Sequence, residues 1–598
     1  MSVLAAEKHE ADDLATNFTS LSGKQWRLRP SNTRLAQQIA QQHALDPVVA
    51  QILAARNFAS DSIPSYLQPR LRDLMPDPFS FKDMDKAIAR IQSAIENKEK
   101  IAVFGDYDVD GATSAALMLR FLRHYGLEPT LYIPDRVTEG YGPNVKAFRM
   151  LQDSSHTLII TLDCGVVAFE AMQDAAQRGL DVVILDHHMA APELPPACAI
   201  VNPNRLAESG AYRYLAACGV TFMTLVALGQ KLREKNLPPP DLLSMLDLVA
   251  LGTVCDVVPL VDLNRAFVAQ GLKVMAQRQN LGLSALADRA NLSELPSAYH
   301  AGFILGPRIN AGGRIAVSQM GAVLLSTNDN NVAIDIADQL EHFNRERQEM
   351  EKRNVEEALA MVARDESAFR HTIILASREW HPGVIGLIAS RLKEAYQRPT
   401  CIIALDENGK GKASGRSITG IDLGALVLKA RLNELIIEGG GHAMAAGFSL
   451  HEHQIKGLHE FFTAELTRQF GETLPAPQVM IDATLAPAAV NMNVVRQLQQ
   501  LEPFGAENPT PKMILAPVRL ERVTVVKDKH LRLQITDQSN VQRLDVMFFN
   551  AATTPIYQKL QQIGPDQTIA LVGSLKNNNW QGRDRAQFTA EDIGVLNG

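Results

Sequence analysis

No stretch of this chain reaches the roughly 20 consecutive apolar residues that a membrane-crossing helix needs, so no span is expected. The opening segment MSVLAAEKHEADDLATNFTS mixes acids into its start and lacks an apolar core, which excludes a signal peptide and an anchor and makes the cytoplasm the expected compartment. Cysteine is scarce. The five cysteines, Cys164, Cys198, Cys218, Cys255 and Cys401, are scattered and form no CxxC pair, which argues against a zinc ribbon and against a disulfide framework. Net positive charge is also missing: the formal charge is -7, so a generally basic nucleic-acid binder is excluded and any polyanion needs a local groove. There is no internal repeat and no low-complexity tract.

What the chain does have is ordinary globular composition, with 46% hydrophobic and 21% charged residues. Its 598 residues exceed a single core and suggest three or four domains. Residues 1–75 read as a leader and a helical extension, with apolar residues at helical spacing in RLAQQIAQQHALDPVVAQILAARNF. From about residue 76 to 330, strands and helices alternate. KIAVF, TLYIP, TLIITLDCG and LDVVILDHH are short apolar runs separated by helical segments, the pattern of a parallel sheet with helices on both faces. Residues 331–365 form a connecting helix whose middle, NRERQEMEKRN, has almost no apolar face and is therefore expected to be solvated between domains. A smaller α/β domain follows over 366–470. The alternating stretches LRLQIT, LDVMFF and TIALVGSLK within 471–598 predict a small β-barrel.

In an open parallel sheet, ligands bind beyond the carboxyl ends of the strands. That rule makes the acids informative. Asp106, Asp108 and Asp110 follow the first strand, Asp163 closes the third, and Asp186, His187 and His188 close the fourth. Asp256 ends another apolar segment, LLSMLDLVALGTVCDVVPL. Crowded carboxylates raise one another's pKa and cost free energy unless a cation compensates. Carboxylate oxygens with one imidazole suit Mn²⁺ or Mg²⁺. Six such groups, Asp106, Asp108, Asp110, Asp163, His187 and Asp256, exceed what one ion takes while keeping water, so two ions are expected. Paired ions of this kind serve phosphoryl displacement, with His188 free to face the phosphate. The expected reaction is hydrolysis of a phosphoester or phosphoanhydride.

These residues resemble the DHH phosphoesterases and, within them, the bacterial RecJ exonucleases. GDYDVDG, TLDCG, LDHH and ALGTVCDVVPL are similar to the four motifs of that superfamily; GFILGPRINAGGR and EWHPGVIGLIASRL are RecJ-like. GKASGRSI with EGGGHAMAAGF resembles the DHHA1 substrate-binding domain, and LEPFGAENPTP the entry to the RecJ OB-fold. The resemblance implies 5′-to-3′ hydrolysis of single-stranded DNA to 5′-mononucleotides in DNA repair and recombination, with Mn²⁺ or Mg²⁺. It implies Asp108, Asp110, Asp163, His187 and Asp256 as metal ligands, with Asp106 at a place that only some relatives use. His188, Arg308 and Asn310 would hold or polarise the scissile phosphate. Arg136, Ser414, Arg416 and His442 would receive the 5′ end, for which a planar guanidinium is suited. A monomer working with single-stranded-DNA-binding protein and a helicase, away from membranes, completes the family reading.

Local basic residues on the barrel, Arg519, Arg522, Lys527, Lys529, Arg532 and Arg543, with Lys576, Arg583 and Arg585 around Trp580, could hold a strand despite the net charge. A metal site between two domains would admit a single strand through a channel too narrow for a duplex. Two other readings share the motifs. One is a phosphoesterase for cyclic dinucleotides, short oligonucleotides or pyrophosphate; the other is a non-catalytic replication scaffold.

Overall fold

The computed structural model describes residues 18–135, 139–140, 142–315, 317–539, 541–564, 567–580 and 582–596. Arg136 lies outside them. The chain forms two compact units: Pro69–Arg353 with the short segment Pro503–Pro509, and the remainder, made of the described residues up to Gln68, Asn354–Glu502 and Thr510 onward.

The first unit is built on five parallel strands. They are β1 (Ile101–Gly105), β2 (Thr130–Tyr132), β3 (Leu158–Leu162), β4 (Asp181–Leu185) and β5 (Ala199–Val201), in the order β2-β1-β3-β4-β5. β1 and β3 are buried at every position, as their unbroken apolar sequences require. Helices cover both faces. On one side pack α1 (Val109–His124), α2 (Ala217–Glu234) and α3 (Leu246–Cys255); on the other lie the helices Val145–Asp153 and Phe169–Gln177. The strand order reverses direction between β1 and β3. That crevice is where a doubly wound sheet binds its ligand.

The segment GFILGPRINAGGR, glycine-rich in sequence, is helical throughout: a π-helix over His300–Leu305 runs into α4 (Gly306–Ile315). A side chain at Gly313 would start 2.9 Å from the Tyr107 carbonyl, so the glycine lets α4 lie directly on the loop after β1.

The connecting helix, α5 (Asn330–Arg364), is exposed along most of its middle, as expected, but buries one polar stripe there. Asn344, Arg347 and Asn354 are buried. Arg347 donates to Asn344 Oδ1 at 3.0 Å and to Glu351 Oε2 at 3.2 Å. A polar stripe at helical spacing can be buried when its members satisfy one another, a possibility that an apolar-face count does not register.

In the second unit, residues 370–468 form a mixed five-stranded sheet of β6 (Ile373–Ser377), β7 (Thr400–Leu405), β8 (Lys410–Arg416), β9 (Glu438–His442) and β10 (Ala445–His451), in the order β9-β10-β8-β7-β6. The C-terminal barrel closes through β11 (Met513–Val526), β12 (His530–Asp537), β13 (Arg543–Phe548), β15 (Arg583–Leu596) and β14 (Thr568–Trp580), which pairs back to β11.

In the N-terminal region the expected helical extension forms, as helices over Thr33–His43 and Pro47–Ala55, but two strands that the sequence did not announce precede it. Phe18–Ser20 pairs antiparallel with β15, and Gln25–Leu28 pairs parallel with Gln478–Ile481. These strands have their partners at the other end of the chain, where local periodicity carries no sign of them.

Candidate metal centre

The first three acids are placed by the junction between β1 and α1. Asp108 caps α1, its Oδ1 accepting from Gly111 N at 3.0 Å. Asp110 falls in the first turn and is buried, and its two oxygens accept the backbone N–H groups of Ala217 (2.6 Å) and Cys218 (2.9 Å). Those donors are the first amides of α2, whose N-cap, Ala216, offers no side chain. Asp110 thus stabilises the positive end of α2 while each oxygen keeps a lone pair for a cation. Asp163 follows β3 in a left-handed conformation (φ 62°), its N–H bonded to Leu185 O at 3.0 Å. Such a conformation at an active-site edge persists only when the surroundings fix it.

α3 delivers Asp256 from the opposite side. A Cβ at Gly252 would meet Thr113 Oγ1 at 2.4 Å, Cys218 Sγ at 2.6 Å and Asp110 Oδ1 at 3.0 Å, so only glycine lets the three helices meet beneath the site. Asp256 is the C-cap, and Val257 follows at φ 60°, an uncommon conformation for a β-branched residue.

His187 Nε2 lies 3.2 Å from Asp163 Oδ1, 3.5 Å from Asp256 Oδ2 and 3.9 Å from Asp110 Oδ2. The ligand atoms fall into three overlapping sets, Asp110–His187–Asp256, Asp106–Asp108–Asp163 and Asp163–His187–His188, each spanning less than 4.8 Å. Asp163 and His187 are shared between sets, the arrangement expected of two neighbouring ions.

The electrostatics call for positive charge. Burial, then the neighbouring carboxylates of Asp110, Asp108, Asp106 and Asp256, push Asp163 far above the ordinary range. Burial and the Asp110 and Asp108 charges push Asp256 up to about 9, and burial raises Asp110. Two buried atoms at the focus, His187 Nε2 and Asp256 Oδ2, have no hydrogen-bond partner among the described residues. Donor chemistry, crowding and these orphaned atoms all fit a hard divalent cation.

Asp186 is a functional residue that sequence reasoning placed on the rim but gave no role. It is buried, and its Oδ1 accepts from His187 N (2.7 Å), His188 N (3.1 Å) and His188 Nδ1 (2.8 Å), while Oδ2 accepts from Val166 N (3.0 Å). Burial opposes charge on His188, but the hydrogen bond and charge of Asp186 prevail and raise it to about 9. The Asp186 bond fixes Nδ1 and with it the orientation of the ring. Asn202, just after β5, donates to the His188 carbonyl at 2.9 Å. β5 lies in PPACAIVNPN, a brief apolar run hemmed by proline on both sides that does not read as a strand, and this support goes unseen with it.

Arg308 and Asn310 lie on α4. Arg308 gives Nε to Glu341 Oε2 and Nη1 to the Ile304 carbonyl, both at 2.7 Å, so its guanidinium is anchored between α4, α5 and the preceding π-helix. In the second unit, Arg416 Nη1 donates to Ser414 Oγ at 3.2 Å. Strand register aligns Arg416 with Ala445 and Ala445 with His442, which sets these three expected phosphate-binding residues on two strands of one sheet, β8 and β9, with β10 between them. His442 is exposed at the end of β9.

A parallel sheet carrying a carboxylate–imidazole cluster at its switch point defines a metal-dependent phosphoesterase class. The profile of the DHH family N-terminal domain matches residues 100–253, that of the DHHA1 domain 370–468 and that of the RecJ OB domain 481–592. Single-stranded-DNA-specific exonuclease RecJ of Bacillus subtilis is 33% identical over 96% of this chain and 71% of its own length. RecJ of Escherichia coli is 32% identical over 92% of this chain and 96% of its own. A crystal structure of RecJ in complex with Mn²⁺ from Thermus thermophilus aligns at a TM-score of 0.79, with 27% identity, covering 96% of this chain and 80% of that one. The chain belongs to the RecJ family of DHH proteins.

Proposed function

We propose that this protein is a single-stranded-DNA-specific exonuclease that hydrolyses phosphodiester bonds from the 5′ end, using two Mn²⁺ or Mg²⁺ ions. The observation that carries the reading is the convergence of Asp110, Asp163 and Asp256 within 3.2 to 3.9 Å of His187 Nε2, in a chain of the RecJ family. The ions would be held by Asp106, Asp108, Asp110, Asp163, His187 and Asp256, and would supply an activated water and charge neutralisation at phosphorus.

The protein's own groups orient the substrate. His188, charged and fixed through Nδ1, offers Nε2–H to a phosphate oxygen, and Arg308 and Asn310 flank the phosphate from α4. Arg416, Ser414 and His442, with Arg136, bind the terminal 5′ phosphate through charge-assisted hydrogen bonds. On the barrel, Arg522, Lys527, Lys529 and Arg532 are exposed and would track the strand. Phosphate contacts carry no base information, so cleavage is insensitive to sequence and weakened by salt.

In this reading 76–330 is the hydrolytic domain, 331–365 the connector, 366–470 the end-binding domain and 471–598 the strand-binding domain. The protein acts as a cytoplasmic monomer, with single-stranded-DNA-binding protein and a helicase supplying its substrate. Digestion of strands labelled at either end tests it, comparing 5′-phosphate, 5′-hydroxyl and duplex termini. Release of 5′-label as mononucleotide from single strands is expected. Activity confined to dinucleotides, or intact single strands with Mn²⁺ present, overturns it.

A further inference from the structure

Asp256 sits at the end of a helix and is followed by a strained residue, so something must hold the turn behind it. Within the first unit, that turn is met by Pro503–Pro509, the sequence PFGAENP, which the chain contributes from far downstream. Leu260 N donates to Ala506 O at 2.9 Å, and Arg265, among the largest fully buried side chains, reaches Pro503 O at 3.4 Å. The segment is itself folded tightly. Gly505 and Asn508 form an isolated bridge, with N···O distances of 2.9 and 3.2 Å, and the buried Asn508 side chain donates to Pro503 O at 2.8 Å. Gly505 lies against Leu260 so closely that a Cβ would be 2.6 Å from Leu260 Cδ1. From the other side, Asn264 Nδ2 donates to Pro259 O at 3.0 Å and Tyr214 O at 2.6 Å.

Both ends of the turn are thereby fixed. Asp256 N bonds to Gly252 O at 2.9 Å at its start, and Leu260 is tied at its end, with the positive-φ Val257 between them. A β-branched residue does not hold that backbone unaided; the surroundings must over-determine it.

We infer that the PFGAENP segment is a positioning element for the metal centre, acting through Leu260 and the Val257 turn to hold Asp256 in ligating geometry. Asn508 is its key residue, because one side chain closes the loop that presents Ala506 O. The inference rests on the two-ion reading above but is separable from it. Groups that orient metal ligands typically alter metal affinity by about 10- to 100-fold when removed.

The test is calorimetric titration of Mn²⁺ into the full-length, chelator-stripped protein without DNA, comparing wild type, Asn508→Ala and the milder Gly505→Ala. The expected result is an affinity at least roughly 10-fold weaker in Asn508→Ala. A smaller loss is expected in Gly505→Ala, and excess Mn²⁺ should restore kcat with KM for DNA unchanged. Wild-type affinity in both folded variants, or a kcat loss that Mn²⁺ does not restore, overturns the inference. Should Asn508→Ala fail to fold, Gly505→Ala decides alone. Wild-type protein that binds no Mn²⁺ would instead sink the two-ion reading itself.

Discussion

Asp186 Oδ1 lies 2.8 Å from His188 Nδ1 and also accepts the backbone N–H groups of both histidines of the LDHH motif. One buried oxygen therefore sets the tautomer of His188, the orientation of its ring and the course of the chain past His187. Asp186→Asn keeps the shape but loses the charge. We expect metal affinity or kcat to fall about 10- to 100-fold, and the His188 ring, followed by NMR in metal-free protein, to titrate well below its present value of about 9. An unmoved titration would show that Asp186 is not what charges His188.

The same pair has a stability signature. The folded-state pKa of His188 is raised, so its contribution is complete below the ordinary histidine range near 6.5 and is lost as pH rises through about 9. The carboxylates run the same way for the opposite reason. Asp256, held at about 9, is neutral in the folded metal-free protein at pH 7 but ionised when unfolded. Melting temperature in chelator should therefore fall steadily between about pH 5 and 9. Mn²⁺ should raise it most at the alkaline end, and its binding at pH 7 should release protons, measurable from the dependence of calorimetric heat on buffer.

Asp163 is buried among carboxylates that repel it. Asp163→Asn should lower kcat by roughly 10²- to 10³-fold and yet raise the melting temperature of the chelated protein at pH 7, because folding no longer has to protonate a carboxylate that is ionised in the unfolded chain. Parallel loss of activity and stability would mean that Asp163 is a structural aspartate.

Gly252→Ala tests the packing beneath the site. The added methyl must displace Thr113, Cys218 or Asp110, which predicts a loss of about 1 to 3 kcal/mol in denaturant unfolding and weaker metal binding.

Arg416→Lys keeps the charge but not the planar fork. Discrimination between 5′-phosphate and 5′-hydroxyl strands should shrink, while cleavage of 5′-hydroxyl strands is little changed. For Lys529→Ala on the barrel, the slope of log binding against log salt should drop by about 1.

Much of the metal cluster was legible because one rule, that ligands gather at the carboxyl ends of parallel strands, turns an apolar run ending in Asp or His into a location. Asp106, Asp163 and His187 each end such a run. The roles read less easily. Asp186 looks like one more rim acid until its partners are known, since a hydrogen bond back to the next two residues leaves no trace in spacing. β5 sits in a brief apolar run with proline on both sides, PPACAIVNPN, and so reads as loop. The Asn344–Arg347–Glu351 stripe reads as solvated because it is polar, although its members satisfy one another along the helix. The pairings of Phe18–Ser20 and Gln25–Leu28, and the return of Pro503–Pro509 to the first unit, join residues from distant parts of the chain, beyond the reach of any local pattern.

Those distant pairings also set an order of assembly. Most of the first unit is one continuous stretch, Pro69–Arg353, and can begin to condense while the ribosome is still translating the rest. The second unit cannot finish on that schedule. Phe18–Ser20 is made long before Gly594–Leu596 and must wait for that segment before its ladder forms. A chain cut within β15 before Gly594 would thus leave Phe18–Ser20 without that ladder. The exposed edge is a natural mark for quality-control proteases, so damage in β15 should be felt first at Phe18–Ser20.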